Sequence, residues 1–198
     1  MDLNNQILDH SLTKPLSGGP SFTLKNRLFR IVWNFIWLIL ASWTPPLMYP
    51  WRWVLLTLFG AKMAWPSDVR GSARVWYPPF LKMNKGALIA ENVICYNQGR
   101  IILGINALIS QGAHLCAGTH NIDDPNFQLV TKPIIIGNNA WVAAEAFVGP
   151  GVTLGDFSVL GARGVAFSDI GNSMVYTGNP AKYLRSRKLN TQYYGNDQ

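Results

Sequence analysis

The amino-acid sequence predicts an all-β solenoid of short strands and turns, on three observations. Over residues 134–167 aliphatic side chains recur every six residues: with Ile136 in the first position, the same phase collects Val142, Val148, Leu154, Leu160 and Ala166. Compact residues fill the second position (Gly137, Ala143, Gly149, Gly155, Gly161) and the fifth (Ala140, Ala146, Val152, Ser158, Gly164). A period of six is too long for the alternation of one strand and out of step with a 3.6-residue helix, so it describes a chain that turns a corner after each short strand. The phase also runs upstream, through Met63, Val69 and Val75, then Met83, Ile89 and Cys95, then Leu103, Ile109 and Leu115, with a two-residue slip between sets. Three hexads close one triangular coil, so residues 63–120 supply about three coils and residues 136–171 about two more. Between the blocks, residues 121–133 (NIDDPNFQLVTKP) are polar and carry Pro125 and Pro133, which predicts a loop leaving the stack before Ile136 restarts it.

From the N-terminus, residues 1–26 are polar and punctuated by Pro15, Gly18, Gly19 and Pro20, the composition of an extended arm. The run from Ile31 to Trp43 is nearly all apolar and stops at Thr44-Pro45-Pro46, where proline ends a helix. Such a run rises only ~20 Å as a helix, whereas about twenty residues are needed to cross a bilayer, so no transmembrane span is expected. A second short apolar stretch, Trp51 to Phe59, carries Arg52. The pair reads either as an interfacial hairpin, with Trp33, Trp37, Trp43, Trp51 and Trp53 at headgroup level and basic residues toward anionic lipid, or as a flap packed on the solenoid or a neighbouring subunit. The chain thus divides into an N-terminal arm and helical segment (1–62), a hexad β-helix (63–175) with the protruding loop 121–133, and a basic cap and tail (176–198) for which a short C-terminal helix is expected. Both ends of a stack expose unpaired backbone and demand covers, and the terminal segments are placed to supply them.

At 198 residues the chain is long enough for one well-buried domain and a smaller appended element. Its net charge of +7 gathers at the ends, in Lys14, Lys25, Arg27, Arg30, Arg52 and Lys62 and again in Lys182, Arg185, Arg187 and Lys188. Basic ends suit nucleic acid, an anionic membrane surface or a phosphate-bearing small molecule. The cations are not interleaved with exposed aromatics along a repeated face, which argues against nucleic acid. Cys95 and Cys116 are too few for a disulfide framework. The first thirty residues lack the apolar core of a secretory signal. A cytoplasmic protein is expected, peripheral on the inner face of the cytoplasmic membrane if residues 27–59 dock there.

The hexads, together with Leu115-Cys-Ala-Gly-Thr-His120, the polar loop and Gly178-Asn-Pro-Ala-Lys182, resemble the hexapeptide-repeat acyltransferases. Gly18-Gly-Pro-Ser-Phe22, the tryptophan-rich segment, Tyr49-Pro-Trp-Arg-Trp53 and Leu58-Phe-Gly-Ala-Lys62 resemble the branch of acetyltransferases of the colanic-acid biosynthesis type, over roughly residues 16–187. The resemblance implies a left-handed parallel β-helix and a homotrimer with its active site between adjacent subunits. It also implies acetyl-CoA as co-substrate and a hydroxyl of a sugar or polysaccharide precursor as acceptor.

His120 matches the family's catalytic histidine. A sugar hydroxyl is a poor nucleophile at neutral pH, and an imidazole is the side chain suited to take its proton as it attacks a thioester. The backbone N–H of Ala144 occupies the place of the family's oxyanion donor. Trp141 matches an aromatic at the wall of the donor and acceptor cleft, with trimer packing as the equal alternative. Gly161 and Ala162 are small where the pantetheine arm passes, and Lys182 and Arg185 match basic contacts to the phosphates of coenzyme A. Phe167-Ser168 departs from a Thr-Lys pair of related sugar acetyltransferases, which implies that one phosphate or adenine contact is missing or relocated. Asn97 lies near the family's acceptor-binding polar residue, and Asp123 is a second acceptor candidate, although Asp123-Asp124-Pro125 reads first as turn chemistry.

Other residues read as structural. Cys95 falls at an inward hexad position, and Cys116 is not placed as a nucleophile beside His120, so direct transfer without a covalent enzyme intermediate is expected. His114 reads as a solvated or interface residue, and His10 as part of the arm. A zinc site of the carbonic-anhydrase-like kind needs three histidines, and the repeats hold only His114 and His120, so no metal is expected. The competing functions are acetyl transfer to another small molecule and a non-catalytic scaffold at a membrane surface.

Overall fold

The computed structural model describes residues 20–188. His10, Lys14 and the first two residues of the Gly18-Gly-Pro-Ser-Phe22 motif lie outside them. The solenoid has three flat faces. The first stacks Lys62–Met63, Leu81–Met83, Ile101–Leu103, Ile134–Ile136 and Thr153–Leu154 as a parallel sheet. The second stacks Asp68–Val69, Leu88–Ile89, Leu108–Ile109, Trp141–Val142 and Val159–Leu160. The third stacks Arg74–Val75, Ile94–Tyr96, His114–Cys116, Phe147–Val148 and Val165–Ala166. Each coil visits the faces in that order. Every hexad first position from Met63 to Ala166 is buried, and Ile89, Leu103, Ile109, Leu115, Val142 and Leu154 are fully enclosed. Full burial of one such aliphatic side chain contributes about 1.5–3 kcal/mol, so the six-residue period marks the side chains that fill the prism.

The corners explain the compact positions. At Gly137 a Cβ would fall 2.6 Å from the Asp156 backbone nitrogen in the coil above, closer than packed atoms allow. One corner is sewn by side chains: Asn138 Oδ1 accepts from Ile105 N–H, Asp156 Oδ1 from Asn138 N–H and Asn172 Oδ1 from Asp156 N–H, at 2.7–2.9 Å. These bonds occupy backbone donors that a tight corner leaves without a sheet partner.

The first coil is covered by two helices, α1 (Leu24–Leu40) and α2 (Tyr49–Leu58). Helix α1 starts earlier than the apolar run suggests, because Thr23 caps it by accepting from Asn26 N–H. The described part of the expected extended arm is therefore helical from Leu24 on. Trp33 donates its indole N–H to the Val75 carbonyl, and Trp37 donates to the Gly71 and Ala73 carbonyls. The buried tryptophans thus dock α1 on the end of the stack while satisfying open backbone. Arg52 does the same from α2. It is fully buried and donates to the carbonyls of Val69, Pro45 and Pro46, to Thr44 Oγ1 and to Asp68 Oδ1. Arg52 is a structural pin and is not available to lipid, a correction to its reading as a surface cation.

At the other end Met174–Thr177 continues the second face, and Lys182–Ser186 turns back antiparallel on it. This hairpin replaces the short helix expected over the basic cap; residues 189–198 lie outside the described residues. The hairpin places Lys182 and Arg185 on the exposed outer edge of the second face. Among the described residues no helix is long and apolar enough to cross a membrane.

Candidate active site

The loop predicted between the hexad blocks is a β-hairpin. Gly118–His120 pairs antiparallel with Leu129–Thr131, with His120 opposite Leu129, and Lys132 N–H closes its base on the Ala117 carbonyl. Asp124 folds the tip: its side chain accepts from Asn126 N–H at 2.7 Å, and its carbonyl accepts from Phe127 N–H. This turn brings Phe127, at a left-handed φ of 51°, over the histidine. The phenyl and imidazole rings stack at 4.4 Å, and the Phe127 carbonyl lies 2.9 Å from His120 Nδ1. A carbonyl oxygen only accepts, so Nδ1 carries a proton, and in the neutral ring it is Nε2 that holds the lone pair a general base needs.

His120 lines a cleft of about 250 Å³ with Ser21, Phe22, Tyr96, Gln98, Thr119 and Leu129. Gln98 donates to the Tyr96 hydroxyl at 2.6 Å, while its amide oxygen is buried with no recorded partner. Gly118 makes room for that oxygen, since a Cβ there would collide with it. Burial raises the Tyr96 pKa, so the phenol stays protonated. A second cleft, of about 470 Å³, shares Ser21 and Phe22 and adds Arg27 and Arg30. Arg30 lies 4.3 Å above the Trp76 ring. Burial lowers its pKa, yet a guanidinium remains charged at neutral pH.

The other expected site residues are distributed around the prism. Asn97 is fully buried, and its amide bonds the Tyr77 backbone N–H and carbonyl at 2.9 and 2.8 Å. It fixes a turn of the first coil, and its neighbour Gln98 faces the cleft instead. Asp123 is exposed in the hairpin turn, where its backbone N–H bonds Asn121 Oδ1, and it is not part of the cleft wall. Trp141 stands on the second face, 40% exposed, with its indole donating to Ser110 Oγ. It lines a separate cavity of about 310 Å³ with Asn139, Phe157 and Arg187. Arg187 donates to the Asn139 and Phe157 carbonyls. Ala144, Gly161 and Ala162 sit at the corner between the second and third faces. The Ala144 carbonyl accepts from Arg163 N–H, while no acceptor is recorded for the Ala144 N–H. His120 emerges at the opposite edge of the third face, about one hexad or ~20 Å away. A single chain does not bring His120, Trp141 and Ala144 into one cleft.

The third face between those edges carries a file of rings, Trp76, Tyr96, His114, Phe147 and Phe167, with successive centroids 5.2–6.4 Å apart. His114 is half-buried in this file rather than solvated, and its Nε2 has no recorded partner. Burial lowers its pKa. Because the folded state refuses a proton that the unfolded chain accepts near pH ~6.5, stability falls as pH drops through that value toward the folded pKa. Thermal melts between about pH 7 and pH 5 should show a declining midpoint that His114→Phe flattens; parallel curves for both proteins would locate the acid sensitivity elsewhere.

Cys95 is fully enclosed, and burial pushes its thiol up to about 12, which removes it from nucleophilic chemistry. Cys116 Sγ bonds the Gly118 carbonyl. Among the described residues no three His, Cys, Asp or Glu side chains form a metal donor set.

No protein-family model matches the chain. A protein of Escherichia coli (strain K12), WcaF, provisionally named a colanic acid biosynthesis acetyltransferase, is 35% identical over 177 residues, spanning 89% of this chain and 94% of that protein. The chain belongs to the hexapeptide-repeat acetyltransferases. Two solved acetyltransferases share their fold with it. A hexapeptide-repeat acetyltransferase of Vibrio cholerae, complexed with acetyl coenzyme A, has a TM-score of 0.70 at 19% identity and covers 96% of this chain and 100% of its own. A galactoside acetyltransferase in complex with coenzyme A also has a TM-score of 0.70 at 19% identity, over 97% and 94% of the two chains. In this hexapeptide-repeat acetyltransferase the solenoid is a left-handed parallel β-helix, the handedness that residue spacing leaves open. Phe22, Gln98, Phe127 and Arg187 are the candidate site residues that the hexads do not reveal. Gln98 had one signal, a polar side chain inside the two-residue slip after Cys95.

Proposed function

We propose that this acetyltransferase moves the acetyl group of acetyl-CoA to a hydroxyl of a sugar or polysaccharide precursor, with His120 as general base. The observation that carries the reading is the bond between His120 Nδ1 and the Phe127 carbonyl, which leaves Nε2 free to accept a proton in a cleft lined by polar groups. The acceptor oxygen loses its proton to Nε2 as it attacks the thioester carbonyl carbon. A backbone N–H, that of Ala144, steadies the tetrahedral oxyanion. Collapse breaks the carbon–sulfur bond, and the imidazolium returns the proton to the departing thiolate.

The separation of His120 from the Ala144 corner supports a homotrimer in which one copy supplies the base and its neighbour the donor wall of Trp141, Ala144, Gly161 and Ala162. Gln98, with its unpartnered amide oxygen, takes an acceptor hydroxyl donor. Arg27 and Arg30, in the adjoining cleft, suit an acceptor that also carries an anionic group.

The test is thiol release from acetyl-CoA across neutral sugars, sugar phosphates, sugar nucleotides and lipid-linked glycans. Thiol release with none of these acceptors would overturn the reading. Lys182 and Arg185 sit exposed on the outermost strand, Arg185 donating to the adjacent Ser186 carbonyl, and both are in reach of phosphates brought to that edge. The double variant Lys182→Ala/Arg185→Ala should raise the KM for acetyl-CoA about tenfold with kcat near the wild-type value. An unchanged KM would remove both from the donor site.

A further inference from the structure

A helix resting on a solenoid should turn polar residues outward. Helix α1 does not. With Trp33 and Trp37 pointing inward, the opposite stripe is Leu24, Leu28, Ile31, Phe35 and Leu38, bordered by Val32 and Ile39. Ile31, Phe35 and Leu38 are 65%, 61% and 65% exposed. Helix α2 repeats the pattern with exposed Trp51, Val54 and Leu58, and the connection between the helices exposes Trp43 and Leu47. This apolar surface is far more continuous than scattered exposed leucines, and a surface of that kind marks a docking site.

The charge pattern selects the occupant. From Pro20 to Ser67 the chain holds no Asp or Glu. Lys25 and Arg27 are exposed on the two flanks of the apolar stripe near the start of α1, where they can reach headgroups while their stems lie on lipid. Trp43 and Trp51 stand at the other end of α1, each donating its indole N–H to a carbonyl of that helix's last turn, Ile39 and Leu40. Indole rings with satisfied N–H groups at the margin of an apolar face suit the headgroup boundary. At 17 residues α1 is about 25 Å long, and its inner face is committed to the solenoid through the bonds of Trp33 and Trp37. It has only its outer face to give.

We propose that the outer face of α1, continued by α2, docks this enzyme on an anionic phospholipid surface, with α1 lying in the plane of the interface. The inner face stays on the first coil. Because Arg27 belongs both to the flank of the stripe and to the cleft adjoining His120, docking holds that cleft at the membrane boundary. Binding to lipid needs neither acetyl-CoA nor an acceptor, so it stands or falls separately from the catalytic reading.

The experiment is co-sedimentation of the full chain with vesicles of phosphatidylcholine alone and of phosphatidylcholine with about 30% phosphatidylglycerol, at low and at about 0.5 M salt. The chain should sediment with the anionic vesicles, and the bound fraction should fall with salt. The double variant Ile31→Gln/Phe35→Gln should lose affinity on the order of 30-fold with an unchanged melting temperature, because both side chains point to solvent and neither is among those packed on the core. Three results overturn the proposal: no sedimentation with anionic vesicles, equal and salt-independent binding to neutral ones, or full binding by the double variant. A fourth would assign the face to a second copy of the chain: no vesicle binding, with the double variant sedimenting as a smaller oligomer than the wild type.

Discussion

His120→Ala should lower turnover by about 10²–10⁴ while leaving the melting temperature close to that of the wild type. The small structural cost follows from position. His120 lies on a hairpin outside the prism, its contacts there being the Phe127 ring and carbonyl, and no hexad position depends on it. The large catalytic cost expected of the proposed base follows from chemistry, because among the described residues no second base lines the cleft: Gln98 and Thr119 do not accept protons at neutral pH, and Tyr96 is held protonated by burial. Steady-state thiol release measures the effect. A variant with wild-type turnover would exclude His120 as base. His120→Gln separates orientation from basicity, since its amide can donate to the Phe127 carbonyl but cannot take the hydroxyl proton; it should be as slow as the alanine variant.

Arg52→Met should destabilise the fold by about 3–5 kcal/mol, the largest stability effect expected of a single substitution here. The guanidinium is fully buried and serves three separate segments: the turn at Thr44, Pro45 and Pro46, the Val69 carbonyl of the first coil, and the Asp68 carboxylate. Methionine fills much of the volume but leaves those acceptors enclosed without donors. Asp68 keeps its ion pair with Arg70 at 3.0 Å, which limits the loss to the buried side of the carboxylate. Urea unfolding followed by tryptophan fluorescence reads the change, and a midpoint equal to the wild type would mean that water reaches the pocket and replaces the guanidinium. Since α1 and α2 cover the first coil together, the variant should also expose that end of the stack and aggregate sooner on heating.

Much of the architecture was legible in residue types alone. The hexad phase named one inward residue per face from Met63 to Ala166, because the chain turns a corner after each short strand, and it passed over the second inward side chains of the first face, Leu81, Ile101 and Ile134. The two-residue slips and the polar segment 121–133 marked where the chain departs from that geometry. His120, the proposed base, was singled out by its match to the family's histidine, and it stands where the period stops. Less visible were the contacts that orient this histidine. Phe127 sits seven residues away, and only the Asp124 turn, with a left-handed residue at Phe127, brings its carbonyl onto Nδ1. Asn97 and Gln98 are adjacent in sequence and equally polar, yet one is consumed by the Tyr77 backbone and the other faces the cleft. The basic cap suggested a helix by composition, whereas the open edge of the second face drew Lys182–Ser186 into antiparallel pairing, since unmet edge donors outweigh weak local propensity.

By itself, then, the sequence determined the solenoid, one inward side chain per face, the site of its interruption and the residue that interruption carries. Periodicity records which side chains face a common axis, and burial enforces that record at every coil. Only the tertiary structure decided the tautomer of His120, the separation of His120 from Trp141 and Ala144 across one face, the burial of Arg52, and the outward turn of the apolar stripe of α1. Each of these depends on where groups distant in the chain meet, or fail to meet, in space. A residue's own type and its neighbours' spacing hold no record of that.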